Sequence, residues 1–297
     1  MKANNLSICI PNKKCDKNCP YCISKMTGQG AEENQEIFYS NLQKAKRMAE
    51  LCGVTSIIVT GKGEPLLDMG SLLKIGEVFG KDFPLEVQTN GVRLSQFNVR
   101  NNLKELQKFG YNTIAISIDS PLQMNNMMYL TKAIKKLNLG FTIRFTINLT
   151  NEMLQRIKYC SIQQTGERAI NYFLKELGSK EKEFGVDQVS FREITIPNRP
   201  LDNEESKEAV EWINNNVDLE SIKIFKKDLN SLISRSGVFV RKLPFGASIY
   251  MINGISVTHF DYCIQESSYD EDIRSLIYWE DGHMSSSWYG SNYGRIF

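Results

Sequence analysis

Three cysteines, Cys15, Cys19 and Cys22, fall within eight consecutive positions of the segment KKCDKNCPYCISK, residues 13 to 25. Thiols at C-x3-C-x2-C spacing on one short loop are placed to bind one metal centre, whereas a disulfide framework spreads an even number of cysteines along the chain. A structural zinc ion takes four protein ligands. The segment offers three, and the chain's two histidines, His259 and His283, stand far along the sequence. A three-thiolate set suits an iron-sulfur cluster in which one iron keeps an open position for a small molecule. The other four cysteines, Cys9, Cys52, Cys160 and Cys263, are isolated. That usage fits a reducing compartment, where thiols serve as ligands or core residues before they serve as disulfides.

Such a loop needs a rigid support. From Leu6 to about Pro197 short β-branched runs alternate with longer amphipathic ones, the pattern of a parallel sheet with crossover helices. Runs at 6–10, 56–60, 85–89, 113–118, 141–147 and 188–194 predict six strands. Between them lie helical patterns such as QEIFYSNLQKAKRMAELCG, in which Ile37 is followed by Leu42, Ala45, Met48 and Leu51 at three-residue steps. The cysteines follow the first strand directly and so belong at its carboxyl end, where α/β barrels carry their chemistry. Six strands leave a barrel incomplete, so the predicted fold class is α/β, a partial (β/α)6 TIM-like barrel. Beyond Pro197 the pattern changes to one helix, LDNEESKEAVEWINNN, followed by runs that read as antiparallel strands. Asn253-Gly254 and Asp281-Gly282 read there as two-residue hairpin turns. The predicted organisation is a barrel over residues 1–200 and a helix plus a small antiparallel β extension over 201–297 that closes the barrel's open end.

With 36 basic and 34 acidic residues the formal charge is only +2. Nothing in that balance calls for a nucleic acid or membrane partner. The opening MKANNLSICIPNKKC lacks a signal peptide's apolar stretch, and no apolar run approaches membrane-spanning length. A cytoplasmic protein is the expectation.

The cysteine spacing, with Tyr21 just before the last cysteine, resembles the radical S-adenosylmethionine superfamily, over roughly the first two thirds of the chain. The resemblance implies that Cys15, Cys19 and Cys22 hold one 4Fe-4S cluster and that the amine and carboxylate of S-adenosylmethionine take the fourth iron. TGKGEPLLD, residues 60 to 68, resembles the family's Gly-Gly-Glu station in a Gly-x-Gly-Glu-Pro form, with Lys62 a departure from the strict form. Bare Gly61 and Gly63 let main-chain carbonyls approach the methionyl ammonium, and Glu64 adds charge complementarity. An ordinary strand-to-helix turn is the other reading. Later stations are Thr89 and Asn90 in QTNG, Ser117 and Asp119 on one face of the fourth strand, Arg144 and Asn148 on the fifth, and Arg192 on the sixth. Their succession resembles the branch containing the molybdenum-cofactor cyclase, in which strand-end residues meet the ribose and methionyl carboxylate. For Ser117, Arg144 and Asn148 a second reading stays open, as polar residues filling a wet barrel interior or capping a strand.

The resemblance implies reductive cleavage of S-adenosylmethionine to a 5′-deoxyadenosyl radical, with an outside one-electron reductant of flavodoxin or ferredoxin type. The substrate would be a peptide, a nucleotide or another small metabolite. Cys263 is the one cysteine beyond Pro197, so a single cluster is expected. In radical peptide epimerases of this superfamily a thiol returns a hydrogen atom, a role open to Cys263 beside that of an incidental thiol. His259 is a candidate for the same face, and Tyr278, Trp279, Trp288 and Tyr289 are candidates for stacking on substrate or for packing a small β layer. The contrasting reading is a zinc-stabilised RNA- or protein-binding module without radical chemistry.

Overall fold

A computed structural model of the chain describes residues 2–28, 30–95, 99–160, 164–178, 184–243, 248–260, 273–288 and 294–297. Six strand-helix steps come first. Strand β1 (Ala3–Cys9) leads through the cysteine loop to α1 (Ile23–Thr27) and α2 (Gln35–Leu51). Then come β2 (Ser56–Thr60), α3 (Met69–Phe79), β3 (Leu85–Thr89), α4 (Val99–Lys108), β4 (Tyr111–Ile118) and α5 (Pro121–Lys136). The series ends with β5 (Thr142–Asn148), α6 (Asn151–Lys158), α7 (Glu167–Gly178) and β6 (Gln188–Arg192). The last third adds α8 (Glu204–Asn216), α9 (Leu219–Ser236), β7 (Val238–Lys242), β8 (Ser248–Ile252), β9 (Ile255–Phe260), β10 (Ile273–Tyr278) and β11 (Met284–Ser285).

All described strands form one sheet in the order β11-β10-β1-β2-β3-β4-β5-β6-β9-β8-β7. The run from β1 to β6 is parallel, as the alternation of strands and helices requires. The sheet does not close, and β11 and β7 are its edges. Strands β7, β8 and β9 pair antiparallel, and so do β10 and β11. Strands β9 and β10, however, join β6 and β1 in parallel, one at each side of the predicted six. A periodicity argument sees the hairpin turn that makes neighbours antiparallel but not the long-range pairing that seats the inner strand of each hairpin on the barrel. Asn253 (φ 52°) and Gly254 (φ 79°) form the expected tight turn between β8 and β9. At the second turn Gly282 has φ 77° and Asp281 is not left-handed; Asp281 Oδ1 instead accepts from the His283 amide at 3.1 Å, so the side chain shapes the bend.

Outward strand residues such as Ile57, Val59, Val87, Ile116 and Ile147 are fully buried beneath the helices. The alternate residues, including Glu86, Gln88, Ser117, Arg144, Asn148 and Arg192, face the barrel interior. On α2 the buried stripe is Phe38, Leu42, Ala45 and Ala49. Ile37 and Leu51, read as core residues from their spacing, are 40% and 62% exposed. Two overlapping stripes satisfy the three- and four-residue rule on that helix, and Phe38 anchors the one that packs. Its ring lies 5.0 Å from that of Tyr278 on β10.

Candidate active site

The cysteine loop leaves the carboxyl end of β1 and crosses the mouth of the barrel. Its own backbone holds its shape: the Cys22 amide donates to the Cys19 carbonyl (3.2 Å), the Lys25 amide to the Cys22 carbonyl (3.0 Å) and the Lys17 amide to Cys15 Sγ (3.4 Å). Side chains from later strands tie it to the barrel. Lys17 Nζ donates to Asp119 Oδ2 (2.6 Å), Asn90 Nδ2 to Asp16 Oδ1 (2.7 Å), and Arg93 Nε lies 3.2 Å from Asp16 Oδ2. Cys15 is exposed, while Cys19 and Cys22 are half-buried. Burial pushes the Cys19 thiol up to about 11, and burial raises Cys15 as well. Unmetallated thiols in this setting keep their protons, so loading a metal centre must release them.

A cavity opens between this loop and the strand ends, and Cys15, Cys19, Cys22, Tyr21, Gly61, Gly63, Glu64, Thr89, Asn90, Ser117, Asp119, Asn148 and Arg192 all line it. Of the barrel residues singled out from the sequence, Arg144 alone is not on the lining. It pairs with Glu86 deeper in the interior, where Gln88 Nε2 also donates to Glu86 at 3.1 Å. The filling role thus has geometric support for Arg144, whose position four residues before the end of β5 points it below the mouth. Cys263, 261–272 and Tyr289 lie outside the described residues.

The glycine turn after β2 packs directly on the cysteine loop. The Glu64 amide donates to the Lys14 carbonyl at 2.8 Å, and a Cβ on Gly63 would sit 2.4 Å from that same oxygen. Only glycine fits so close an approach. The carbonyls of Gly61 and Gly63 accept no hydrogen bond among the described residues and so remain open to a donor in the cavity. Glu64 is 2% exposed, and its oxygens are fully engaged: Oε1 accepts from Thr89 Oγ1 (2.6 Å) and the Leu66 amide (3.0 Å), Oε2 from the Asn90 amide (2.8 Å). Burial raises this carboxyl against those donors. Its first task is therefore to join the end of β2 to the end of β3.

Tyr21 is held from two sides. Its ring lies 5.0 Å from Trp212 of α8 at an interplanar angle of 31°, and Asn148 Nδ2 donates to its hydroxyl at 3.1 Å. Gln123 closes the floor near β4, donating to the carbonyls of Asn90 (2.8 Å) and Ser117 (2.7 Å). On the far wall Arg192 has no hydrogen-bond or ion-pair partner for its guanidinium among the described residues. Beside it Glu193 is 9% exposed, with Oε1 2.9 Å from Lys226 Nζ and 3.0 Å from His259 Nε2. His259 is not on the cavity lining and reaches it only through its contact with the Glu193 carboxylate. Lys226 of α9 reaches the same carboxylate.

Sequence reasoning passed over Lys17, Gln88, Gln123 and Trp212. Gln88 follows from the period-two rule once Glu86 faces inward. Trp212 carries no signal in the sequence, because its partner Tyr21 is distant along the chain. Cys9 and Cys52 are buried core residues, and Cys160 donates to the Ala169 carbonyl at 3.2 Å. Trp279 is buried, with Nε1 donating to Ser285 Oγ at 2.7 Å and Trp288 edge-on at 5.9 Å, so these aromatics pack the β layer.

An open α/β barrel with a cysteine loop and a glycine turn meeting at its mouth defines a class of protein. Residues 9–137 match the family model of the radical SAM superfamily. GTP 3′,8-cyclase of Clostridium acetobutylicum is 27% identical over 195 residues, which are 57% of this chain and 59% of the cyclase. A probable dual-specificity RNA methyltransferase RlmN of Clostridium botulinum is 27% identical over 153 residues, 50% of this chain and 44% of that protein. The chain thus matches less than two thirds of the length of these curated relatives. Among solved structures, Streptococcus suis SuiB bound to S-adenosylmethionine superposes with a TM-score of 0.55 at 15% identity, over 95% of this chain and 60% of SuiB. That likeness is one of fold. No helix among the described residues is long and apolar enough to cross a membrane.

Proposed function

We propose that this chain is a radical SAM enzyme whose Cys15, Cys19 and Cys22 hold a single 4Fe-4S cluster. The observation that carries the reading is the contact between the two stations: the cysteine loop and the Gly61–Gly63 turn share the Lys14 carbonyl, and both line one cavity. The donor set fits. Zinc thiolates at about 2.3 Å from one ion stand roughly 3.8 Å from one another, and no three His, Cys, Asp or Glu side chains among the described residues converge on one ion. Thiols spread along a loop match a cluster better than a lone ion, which weighs against the zinc-stabilised module.

When bound, the cluster supplies the electron that cleaves the cosubstrate's carbon-sulfur bond, releasing methionine and a 5′-deoxyadenosyl radical. The protein's part is position. The open carbonyls of Gly61 and Gly63 take the methionyl ammonium, Glu64 holds those strand ends in register through Thr89 and Asn90, and Ser117, Asp119 and Asn148 offer polar atoms to the ribose. Arg192 faces the remaining anionic group, on cosubstrate or substrate. The barrel of residues 1–200 carries these parts, and 201–297 closes it: α8 lies against α1 through Trp212 and Tyr21, and the Leu201 amide donates to the Met26 carbonyl at 2.8 Å. A radical carbon demands that substrate be sealed at near-attack distance. The reductant is an outside one-electron donor of flavodoxin or ferredoxin type. A solved structure of SuiB with its precursor peptide SuiA makes a peptide one substrate to try, with Cys263 as hydrogen donor in an epimerase variant of the reading.

Protein purified without oxygen should be brown, carry about four irons and release 5′-deoxyadenosine from S-adenosylmethionine under dithionite. A colourless protein with one zinc, or S-adenosylhomocysteine as the product, would overturn the reading.

A further inference from the structure

Lys62 stands between the two glycines of the turn, where the strict form of the motif has no lysine. In the fold its side chain turns away from solvent and is 8% exposed. Its ammonium donates to Thr27 Oγ1 at 2.9 Å and lies 5.8 Å from the centroid of the Trp279 ring. Its carbonyl accepts from Ser24 Oγ at 3.2 Å. Both bonds end on α1, the helix that begins one residue after Cys22. Trp279 is followed by Glu280, fully buried, whose carboxylate lies by its own amide and that of Ala31 without a well-aligned hydrogen bond. The cations acting on that carboxylate are Lys62 and Lys13. Gly30 makes room for it, since a Cβ there would stand 2.9 Å from both oxygens. The Asn34 amide, donating to the Glu280 carbonyl at 3.1 Å, fixes the segment in place.

Three stretches of chain therefore meet at one buried ammonium: the helix after the last cysteine, the glycine turn, and the bend between β10 and β11. A buried cation holds its place only where hydrogen bonds and a counter-charge oppose its desolvation. We infer that Lys62, Trp279 and Glu280 form a lock that sets the Gly61–Gly63 carbonyls relative to the cysteine loop, with Lys62 and Glu280 as positioning residues for S-adenosylmethionine. The inference rests on the reading of that turn as the cosubstrate's anchor. It assigns the C-terminal third a role at the cosubstrate as well as at the substrate, and it accounts for the lysine: its partner lies at the other end of the chain.

The test uses anaerobically reconstituted protein, with S-adenosylmethionine affinity by equilibrium dialysis and the change in the reduced cluster's electron paramagnetic resonance spectrum on titration. Lys62→Met and Glu280→Gln should each weaken binding roughly tenfold with iron content unchanged, and the double variant should be no worse than the poorer single. Lys62→Arg should recover most of the affinity. Singles that bind as the wild type does, or a double near a hundredfold weaker because the effects multiply, would overturn the lock. Should the buried changes lower the iron content, Thr27→Val carries the same decision: it removes the ammonium's partner at the end of α1 together with that hydroxyl's own bond to the Ile23 carbonyl (2.8 Å), and wild-type affinity at full iron content would overturn the lock. Wild-type protein that binds no S-adenosylmethionine would overturn the lock together with the reading beneath it, whereas binding by the wild type with indifferent variants overturns the lock alone.

Discussion

The two walls of the cavity are built differently. On the side of β1 to β4 nearly every polar group is committed to another: Glu64 to Thr89, Leu66 and Asn90, Lys17 to Asp119, Asp16 to Asn90 and Arg93. Among the described residues, the two glycine carbonyls and Ser117 Oγ stay open there. On the side of β6 and β9 Arg192 is uncommitted, and Glu193 is held only by ion contacts from α9 and β9. A tightly cross-linked wall suits a partner that is always the same, and a looser charged wall suits one that sets specificity. On the proposed function, the cosubstrate would lie against the first and the substrate against the second.

The sharpest way to break this contrast is at the loop. Alanine at Cys15, Cys19 or Cys22 should abolish the brown colour and 5′-deoxyadenosine release, and a full cluster in all three variants would end the assignment. Next comes the contact between loop and turn. Gly63→Ala drives a methyl into the Lys14 carbonyl and should cost about 1–3 kcal/mol of stability with displacement of the loop. Urea unfolding and iron content read it, and a wild-type profile would show the close approach to be dispensable.

Glu280 carries a pH signature of similar size that comes from its burial and runs opposite to its service as counter-charge to Lys62, which needs the carboxylate present above about pH 7. Burial raises the Glu280 carboxyl from near 4.5 to about 7. A carboxyl protonated in the fold but ionised in the unfolded chain adds stability that is complete below the lower value and gone above the higher. Unfolding free energy should therefore fall across that window by up to about 3 kcal/mol, and Glu280→Gln should flatten the slope. Melts in urea at about pH 5 and about pH 8 compare the two proteins.

The smallest effect is expected on the far wall. His259→Asn removes one ion contact from Glu193 and should cost about 1 kcal/mol or less, while 5′-deoxyadenosine release without substrate stays near the wild-type rate. A large loss of that uncoupled release would erase the distinction between the walls.

How much of this was legible in the sequence differs along the chain. Strands β2 and β3 begin and end where the β-branched runs do, because a parallel strand under two layers is written almost entirely in its own residues. The lining position of Ser117 and Asp119 followed from period two. Arg144 shares the inward face with Asn148 yet lies below the mouth, since alternation gives the face of a strand but not the depth at which a side chain finds its partner, here Glu86.

The sequence by itself determined the local facts: six barrel strands, a ligand loop at the end of the first, and a glycine turn at the end of the second. These depend on spacing and on backbone preferences that act over a few residues. Tertiary structure decided what links distant residues. It seated β9 and β10 on the barrel in parallel, chose Phe38 over Ile37 for the core, stacked Trp212 on Tyr21 and brought Trp279 to Lys62. Burial and Coulomb forces depend on distance in space, and no local pattern encodes which residues the folded chain will bring within that distance.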